Sequence, residues 1–229
     1  MGAETEEVQV TDFLDYLLSF NSDSAFNPWN QNCTEADNSD SHHVRLQNLQ
    51  DVLSVCVATN SVDIWLGRDL GWRGGRRTGV PFVDELTLAS YAASIEATSL
   101  SKATVGPPMK ERTATEIHVA RARVPTKIFF WNVFPFHPHE EGNPFTNRMH
   151  TRSERDFGLE ALEMILDFLP FERIVAIGND AFDAVDRMGH RCLRVRHPSY
   201  GGQRDFHAQI NTHYGIASVE QGQQELFPH

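Results

Sequence analysis

Four short apolar runs, separated by stretches of helical periodicity, constrain the fold of this 229-residue chain more than any other feature. The apolar runs cover residues 62–66, 127–133, 173–177 and 191–195. The helical patterns between them cover residues 83–97, 113–123, 153–169 and 181–188. Apolar strands that alternate with helices are typical of a parallel sheet covered on both faces. The sequence therefore predicts an α/β fold: a short central parallel sheet with helices on both faces, in three α/β/α layers.

The N-terminal segment differs from the rest of the chain in charge. Residues 1–51 contain ten acidic residues and one basic residue, a net charge of −9 out of −11 for the chain. Subtraction from the totals of 31 acidic and 20 basic residues leaves 21 and 19 in the other 178 residues. Residues 1–10 lack a periodic pattern and are expected to be a disordered tail, followed by a helix from Thr11. We therefore divide the chain into an acidic N-terminal tail and helix, residues 1–25, and a single domain, residues 26–229.

Composition and short motifs exclude several classes of protein. There is no run of about 18 apolar residues and no secretory leader, so we expect no membrane contact. The three cysteines, Cys33, Cys56 and Cys192, are far apart, which suits a reduced cytoplasmic compartment (nucleoid-associated if bacterial) and leaves too few ligands for an iron–sulfur cluster. The segment "HPHEE" (137–141) has metal-like spacing but no further spaced ligands. We therefore expect neither a metal nor another cofactor.

Polar side chains follow each predicted strand. The first strand is followed by "GRDLG" (67–71), the second ends at Asn132, the third is followed by "GND" (178–180), and the fourth by "HPS" (197–199). Ligands of parallel α/β sheets bind beyond the carboxyl ends of the strands. We therefore expect Asp69, Asn132 and His197 to meet at one edge of the sheet. This pattern alone does not identify a substrate.

Five short segments resemble, in the same order, the motifs of the uracil-DNA glycosylase superfamily. "GRDLG" is similar to the first motif, which other branches write GQDPY, GEAPG or GMNPG, and "FNPWN" (26–30) resembles an N-terminal element of some branches. "TGVPF" (78–82) resembles the segment that supplies a stacking aromatic ring, "FFWN" (129–132) the strand that ends in a base-reading Asn, and "HPS" the last motif. The resemblance extends over residues 26–205 and agrees with the fold predicted above.

The resemblance implies a hydrolase, a monofunctional uracil-DNA glycosylase of base excision repair, in which water cleaves the N-glycosidic bond. In that reading Asp69 orients the water and stabilises the sugar cation, and His197 stabilises the departing base. Phe82 stacks on the base, and Asn132 reads its pairing edge. The implied partner is uracil-containing DNA, the product is free uracil, and the protein is expected to act as a monomer.

Glycines and basic residues complete the predicted site. Gly67 and Gly71 are assigned to base binding because a residue without a side chain allows the backbone to approach a nucleotide. Six further residues are assigned to DNA binding, the arginines mainly as phosphate contacts: Arg73, Arg76, Arg77, Ser199, Tyr200 and Arg204. No leucine is present to replace the extruded base, so Tyr200, Gln203 or Arg204 must fill the vacated stack if any residue does.

Two departures from the family pattern keep other functions open. Arg68 occupies the position of the acid in the GEAPG branches, so Asp69 is expected to serve alone. Gly71 replaces the Tyr that excludes the thymine methyl in the GQDPY branch, which widens the pocket unless Trp72 fills it. One alternative is therefore a relaxed glycosylase for 5-substituted uracil, mismatched thymine or deaminated purines. Another is a catalytically silent relative that binds DNA or a protein, which the acidic N-terminal segment favours.

Overall fold

The computed structural model describes residues 2–217. The helices are α1 (Gly2–Ser19), α2 (Ser41–Val57), α3 (Gly75–Thr78), α4 (Leu88–Ile95), α5 (Arg112–Arg121), α6 (Arg152–Phe168), α7 (Asn179–Arg187) and α8 (Gln203–His213). The strands are β1 (Ala25–Phe26), β2 (Val62–Asp69), β3 (Ile128–Phe134), β4 (His137–Pro138), β5 (Phe171–Ile177) and β6 (Leu193–Val195). None of the described helices is long and apolar enough to cross a bilayer.

The central sheet has four parallel strands in the order β3-β2-β5-β6. The helices flank this sheet in a three-layer α/β/α arrangement, as predicted. Every residue of β3 is buried, as are the first six of β2, because helices cover both faces and leave no strand face for polar side chains. A second, two-stranded antiparallel sheet pairs β1 with β4 beside the main sheet.

The strand order reverses direction next to β2. The chain runs from β2 to β3 on one side and then crosses to β5 and β6 on the other side. In open α/β sheets, such a switch point leaves a crevice beyond the carboxyl ends of the two strands that flank it. Here those strands are β2, which ends at Asp69, and β5, which is followed by Gly178. The topology alone therefore places a binding crevice at the "GRDLG" and "GND" segments.

Helix α1 is longer than the sequence pattern predicts and belongs to the core. It begins at Gly2 rather than near Thr11, so the expectation of a disordered segment over residues 2–10 is wrong. The aromatic ring of Phe13 lies 5.6 Å from that of Trp131 in β3 and 5.6 Å from that of Phe168 in α6. Val10 also packs against this core, which extends the helical contact into the segment that lacked a clear pattern. The division of the chain at residue 25 stays a prediction.

Helix α4 is shorter than the predicted helix over residues 83–97. The side chain of Asp84 accepts hydrogen bonds from the backbone N–H groups of Leu86 and Thr87, at 3.0 and 2.9 Å. Such a turn competes with helical hydrogen bonding, so the helix begins only after Thr87. This turn also directs the Asp84 carboxylate toward the start of α5, where it accepts the N–H of Glu111 at 2.7 Å.

Candidate active site

A cavity of about 550 Å³ lies beyond the carboxyl ends of β2, β5 and β6, at the switch point. Of the predicted site residues, six line it: Asp69, Gly71, Phe82, His197, Ser199 and Tyr200. Further residues line it that the sequence had not assigned to the site, among them Arg68, Glu111, Thr113, Asn147, Asp180 and Arg196. The expected meeting of an acid and a histidine at one edge of the sheet is therefore present in the structure.

Asp69 ends β2 with its carboxylate almost fully buried and bonded on both oxygens. Oδ2 accepts a hydrogen bond from Nε of Arg68 at 2.6 Å, and Oδ1 lies within hydrogen-bond distance of Nδ1 of His150. The Arg68 guanidinium also reaches Oδ2 of Asp180 at 3.2 Å. An arginine and a histidine therefore fix the orientation of the Asp69 carboxylate, and its role as the sole acid of this motif stays a prediction.

The start of α6 determines the position of His150. Thr151, the N-cap residue, accepts a hydrogen bond from the N–H of Glu154, and the Glu154 side chain accepts the N–H of Thr151 at 2.6 Å, which together form a capping box. Arg148 holds the same carboxylate at 2.6 Å. His150 directly precedes this rigid helix start. Its ring is therefore fixed beside Asp69 by local helix capping rather than by the sheet.

His197 lies in the loop after β6 in the neutral form and in one defined tautomer. Burial, together with the nearby guanidinium groups of Arg68 and Arg196, lowers the pKa of His197 below its usual value. The N–H of Ser199 donates to Nδ1 of the ring at 3.2 Å, so the proton of the neutral ring sits on Nε2. His197 therefore offers an N–H donor without carrying a full charge.

Gly67, Phe82 and Asn132 form a compact group behind the cavity. Gly67 in β2 pairs in register with Asn132 in β3, and a β-carbon at Gly67 would collide with the tip of Phe82 and with the amide oxygen of Asn132. That amide oxygen is buried and has no hydrogen-bond partner among the described residues. Asn132 itself does not line the open cavity, whereas Phe82 does. A glycine is thus required at position 67 to bring an aromatic ring beside an unsatisfied amide.

Phe82 also has an unusual backbone. Its φ of 58° is in the left-handed region, which non-glycine residues rarely adopt. Such conformations persist where the surrounding structure enforces them, often at functional sites. The preceding proline and the ring contact with Phe130, at 5.8 Å between centroids, hold Phe82 in place.

Glu111, not Trp72, fills the space beside Gly71. A β-carbon at Gly71 or at Gly74 would collide with the Glu111 carboxyl group. The Trp72 ring instead packs against Phe145, with centroids 5.5 Å apart, and Trp72 is not among the residues that line the cavity. The hypothesis that Trp72 fills the pocket is therefore wrong. The wall beside Gly71 is a carboxyl group.

Two of the three arginines assigned to phosphate contact are buried. Arg77 donates to Glu85 at 2.9 Å and to Thr104 at 2.7 Å, and only 7% of its surface is exposed. The Arg76 guanidinium lies over the Phe26 ring, 4.1 Å from its centroid, with 4% exposure. Neither side chain is available to DNA, so the assignment of Arg76 and Arg77 to phosphate contact is wrong. Both guanidinium groups instead make contacts inside the protein.

The other residues assigned to DNA binding lie at accessible positions. Arg73 and Arg204 are exposed, with Arg73 placed 4.7 Å over the Trp72 ring. Tyr200 is 98% exposed at the tip of the loop after β6 and has a φ of 54°. Gln203, by contrast, is bonded to Glu116 at 2.6 Å. Of the aromatic and long side chains considered for the vacated base stack, Tyr200 is thus the one that lines the cavity and extends freely from it.

The histidines of "HPHEE" serve the fold. His137 is buried, and its ring nitrogens lie within hydrogen-bond distance of Arg76 and of the Thr146 carbonyl. Burial and the Arg76 charge lower the pKa of His137 to about 3. Among the side chains that the structure describes, no three His, Cys, Asp or Glu residues are grouped as metal ligands.

Two residues of the site were missed by the sequence reasoning: His150, which contacts Asp69, and Glu111, which lines the cavity. The "TRSE" segment (151–154) has the spacing of a capping box and would have fixed the start of α6, with His150 directly before it. Glu111 has no comparable signal. Its side chain reaches the cavity only because the segment before α5 packs against the turn after β2.

The fold has a counterpart among solved structures. SMUG2 of Pedobacter heparinus aligns with a TM-score of 0.60 and 12% identity over 90% of this chain and 95% of that chain. A mutant of UNG from Nitratifractor salsuginis aligns with a TM-score of 0.36 and 13% identity over 88% and 92%. No family model and no curated protein matches the chain. The first alignment confirms the predicted fold.

Proposed function

We propose that this protein is a monofunctional DNA glycosylase that hydrolyses the N-glycosidic bond of uracil in DNA. The observation that carries the proposal is the unsatisfied amide oxygen of Asn132 beside Phe82 and Gly67. Buried polar groups are almost always hydrogen-bonded, so this acceptor beside the cavity is available to a ligand with a matching donor. Uracil fits it: its N3–H donates to the amide oxygen, and its O4 accepts from the amide nitrogen. Cytosine presents the reverse pattern and is rejected.

Asp69 stabilises the positive charge that develops on the sugar as the bond breaks. Its carboxylate is held by Arg68 and His150, so it keeps its orientation during the reaction. A preorganised carboxylate also accepts a hydrogen bond from the attacking water and directs it to the sugar carbon. No lysine lines the cavity, which agrees with water as the nucleophile.

His197 stabilises the negative charge that develops on the departing base. Its neutral ring, with the proton on Nε2, donates to O2 of uracil while Asn132 binds N3 and O4. Donors of this kind are worth roughly 100- to 1,000-fold in rate where charge develops in a site shielded from water. A neutral donor also avoids the cost of burying a cation when no anion is present.

DNA contacts surround this cavity. Extruding a base from the duplex costs a few kcal/mol, and a residue that fills the vacated stack offsets part of that cost. Tyr200 has the position and exposure for this role. Arg73 and Arg204 contact flanking phosphates, and Ser199 lies at the edge of the same loop. In this scheme the protein acts as a monomer.

Excision from labelled oligonucleotides tests the proposal. The wild type should release free uracil and leave an abasic site that breaks only after alkali treatment, with no release of cytosine. Asn132→Ala should lower kcat/KM for uracil at least about tenfold, because the variant loses one contact to the base on which charge develops as the bond breaks. Asn143→Ala, in an exposed loop, is the matched control and should behave as wild type. Absence of uracil release by the wild type contradicts the proposal.

A further inference from the structure

The Glu111 carboxyl group occupies one wall of the cavity without a bonding partner. Glu111 is the N-cap residue of α5, yet its side chain makes no capping hydrogen bond. None of the hydrogen bonds or ion pairs among the described residues involves its carboxyl oxygens, although its backbone N–H is bonded to Asp84. The neighbouring acid Glu85, in contrast, is paired with Arg77 at 2.9 Å. A partly buried carboxyl without a partner is costly, which favours a role toward a ligand.

Two glycines make room for this carboxyl group. A β-carbon at Gly71 or Gly74 would overlap the present position of the carboxyl oxygens, so the two glycines leave the space that the Glu111 carboxyl group occupies. Burial and the nearby Asp84 carboxylate raise the pKa of Glu111 to about 7, with Arg73 acting in the opposite direction. The group therefore changes charge near neutral pH and is a carboxylate at pH 8.

The position of Glu111 relative to His197 identifies the edge of the base that it faces. Gly71 follows β2 and His197 follows β6, and these strands are separated by β5, roughly 10 Å apart. A uracil with O2 at His197 and with N3 and O4 at Asn132 turns its C5–C6 edge away from His197. A base in this orientation would turn that edge toward the wall beside Gly71, where the Glu111 carboxyl group lies.

We propose that Glu111 is a specificity-determining residue that faces the C5 edge of the base and favours uracils whose 5-substituent donates a hydrogen bond or carries positive charge. This inference rests on the proposed glycosylase function. An aminomethyl group at C5 pairs with the carboxylate, and a hydroxymethyl group donates a hydrogen bond to it. The methyl group of thymine removes water from the carboxylate without replacing the lost hydrogen bonds, and a 5-carboxyl group repels it.

The test is excision at pH 8 from single-stranded oligonucleotides that carry uracil, 5-aminomethyluracil, 5-hydroxymethyluracil, thymine or 5-carboxyuracil. The wild type should excise 5-aminomethyluracil at least about 100-fold faster than thymine. This ratio is near the upper limit for two substrates that differ by one small group. In Glu111→Leu that preference should fall below about tenfold. Glu111→Gln should keep part of the preference for 5-hydroxymethyluracil over thymine and lose the preference for 5-aminomethyluracil over thymine. The five bases differ in how readily they leave the sugar. Comparing the rates of the wild type and a variant on the same base removes this difference.

Two controls complete the design. Glu141→Gln removes an exposed carboxylate outside the cavity and should leave the order of the five bases unchanged. Urea unfolding of each variant establishes that the altered preferences are measured on folded protein. Binding of the free bases, followed by saturation-transfer NMR, gives a second readout that does not require excision.

The outcomes separate this inference from the proposed function. Uracil release by the wild type with an unchanged base order in Glu111→Leu overturns the inference and supports the activity. If no base is released but the free bases bind in an order of affinity that changes when Glu111 is replaced, the proposed activity is overturned. The position of Glu111 at the C5 edge of the base is then supported. No release and no binding overturns both.

Discussion

The Asp69 carboxylate is within hydrogen-bond distance of the His150 ring, which joins the end of β2 to the start of α6 at the base of the cavity. The contact spans 81 residues of sequence and two separate elements. Together with Arg68 it leaves the carboxylate little rotational freedom. The two residues therefore give the first two predictions.

Asp69→Asn should lower uracil excision at least about tenfold and leave binding to uracil-containing DNA nearly intact. The amide cannot stabilise a cationic sugar as a carboxylate does, and the loss of that charge is worth roughly 3 kcal/mol in the transition state. Single-turnover kinetics and gel-shift binding separate the two effects. Wild-type turnover by this variant would remove Asp69 from the mechanism and direct attention to Asp180.

His150→Ala should lower excision on the order of 10- to 100-fold, because a hydrogen bond to a charged group is worth about 1.5–3 kcal/mol. We expect His150 to act only through Asp69. The double variant with Asp69→Asn should therefore be hardly slower than Asp69→Asn alone. If the two losses of excision rate were additive in free energy, His150 would have a role independent of Asp69. His190→Ala replaces a histidine outside the cavity and is the control.

Arg73→Ala should change DNA binding but not stability, whereas Arg77→Ala should change stability. Arg73 is exposed, so its loss should reduce the slope of log K against log salt by about 0.7–0.9 without changing stability. Arg77 is buried with Glu85, so its removal leaves the buried carboxylate with the more distant Lys102 ammonium group, at 3.7 Å, and should lower the free energy of unfolding by up to roughly 3–5 kcal/mol.

Salt-dependent DNA binding and urea unfolding measure these two quantities. Arg187→Ala, at the end of α7 remote from the cavity, is the matched control for Arg73 and should leave the salt slope unchanged. A lower salt slope for Arg77→Ala with unchanged stability would mean that Arg77 reaches solvent after all.

Tyr200→Ala should impair excision from duplex DNA more than excision from single strands. A base in a single strand is already unstacked, so no gap needs to be filled, whereas the duplex requires a few kcal/mol for extrusion. Tyr200 is 98% exposed, so its removal should not affect folding. Tyr200→Phe keeps the ring and should retain duplex activity. Equal losses on both substrates would exclude a role in base extrusion.

The residues that end the strands were predictable because their positions depend on local pattern. Asp69 is the last residue of β2, Asn132 lies two residues before the end of β3, and His197 lies two residues after the end of β6. Parallel pairing then brings such ends to one edge of the sheet, whatever the connecting helices do. The sheet and the positions of Asp69 and His197 therefore follow from short-range sequence patterns.

Burial of the arginines was not predictable in the same way. Arg76 contacts Phe26, and Arg77 contacts Glu85 and Thr104, through loops whose paths carry no periodic signal. In sequence, a basic cluster next to glycines resembles a phosphate site. Only the three-dimensional paths of these loops decide that two of the charges are paired inside the protein. The same reason explains why Glu111 was missed.

The pH dependence of stability should reveal the buried Glu111 without any activity assay. Its pKa is raised to about 7 in the folded protein from an ordinary value of 4.5, because burial and the Asp84 carboxylate disfavour its charged form. Between these values the folded protein binds more protons at this site than the unfolded chain does. Stability from this group is therefore fully present below about pH 4.5 and is lost as the pH rises through about 7.

Glu111→Gln removes this titration, so the variant should become more stable relative to the wild type as the pH increases from 5 to 8. The gain has an upper limit of about 3 kcal/mol, since each pKa unit corresponds to about 1.36 kcal/mol and water in the cavity screens part of the effect. Urea unfolding of both proteins at pH 5, 6, 7 and 8 measures the difference directly. Glu141→Gln, in an exposed loop, should run parallel to the wild type. A Glu111→Gln curve that is also parallel would mean that the carboxyl group is fully hydrated and does not form the wall beside Gly71.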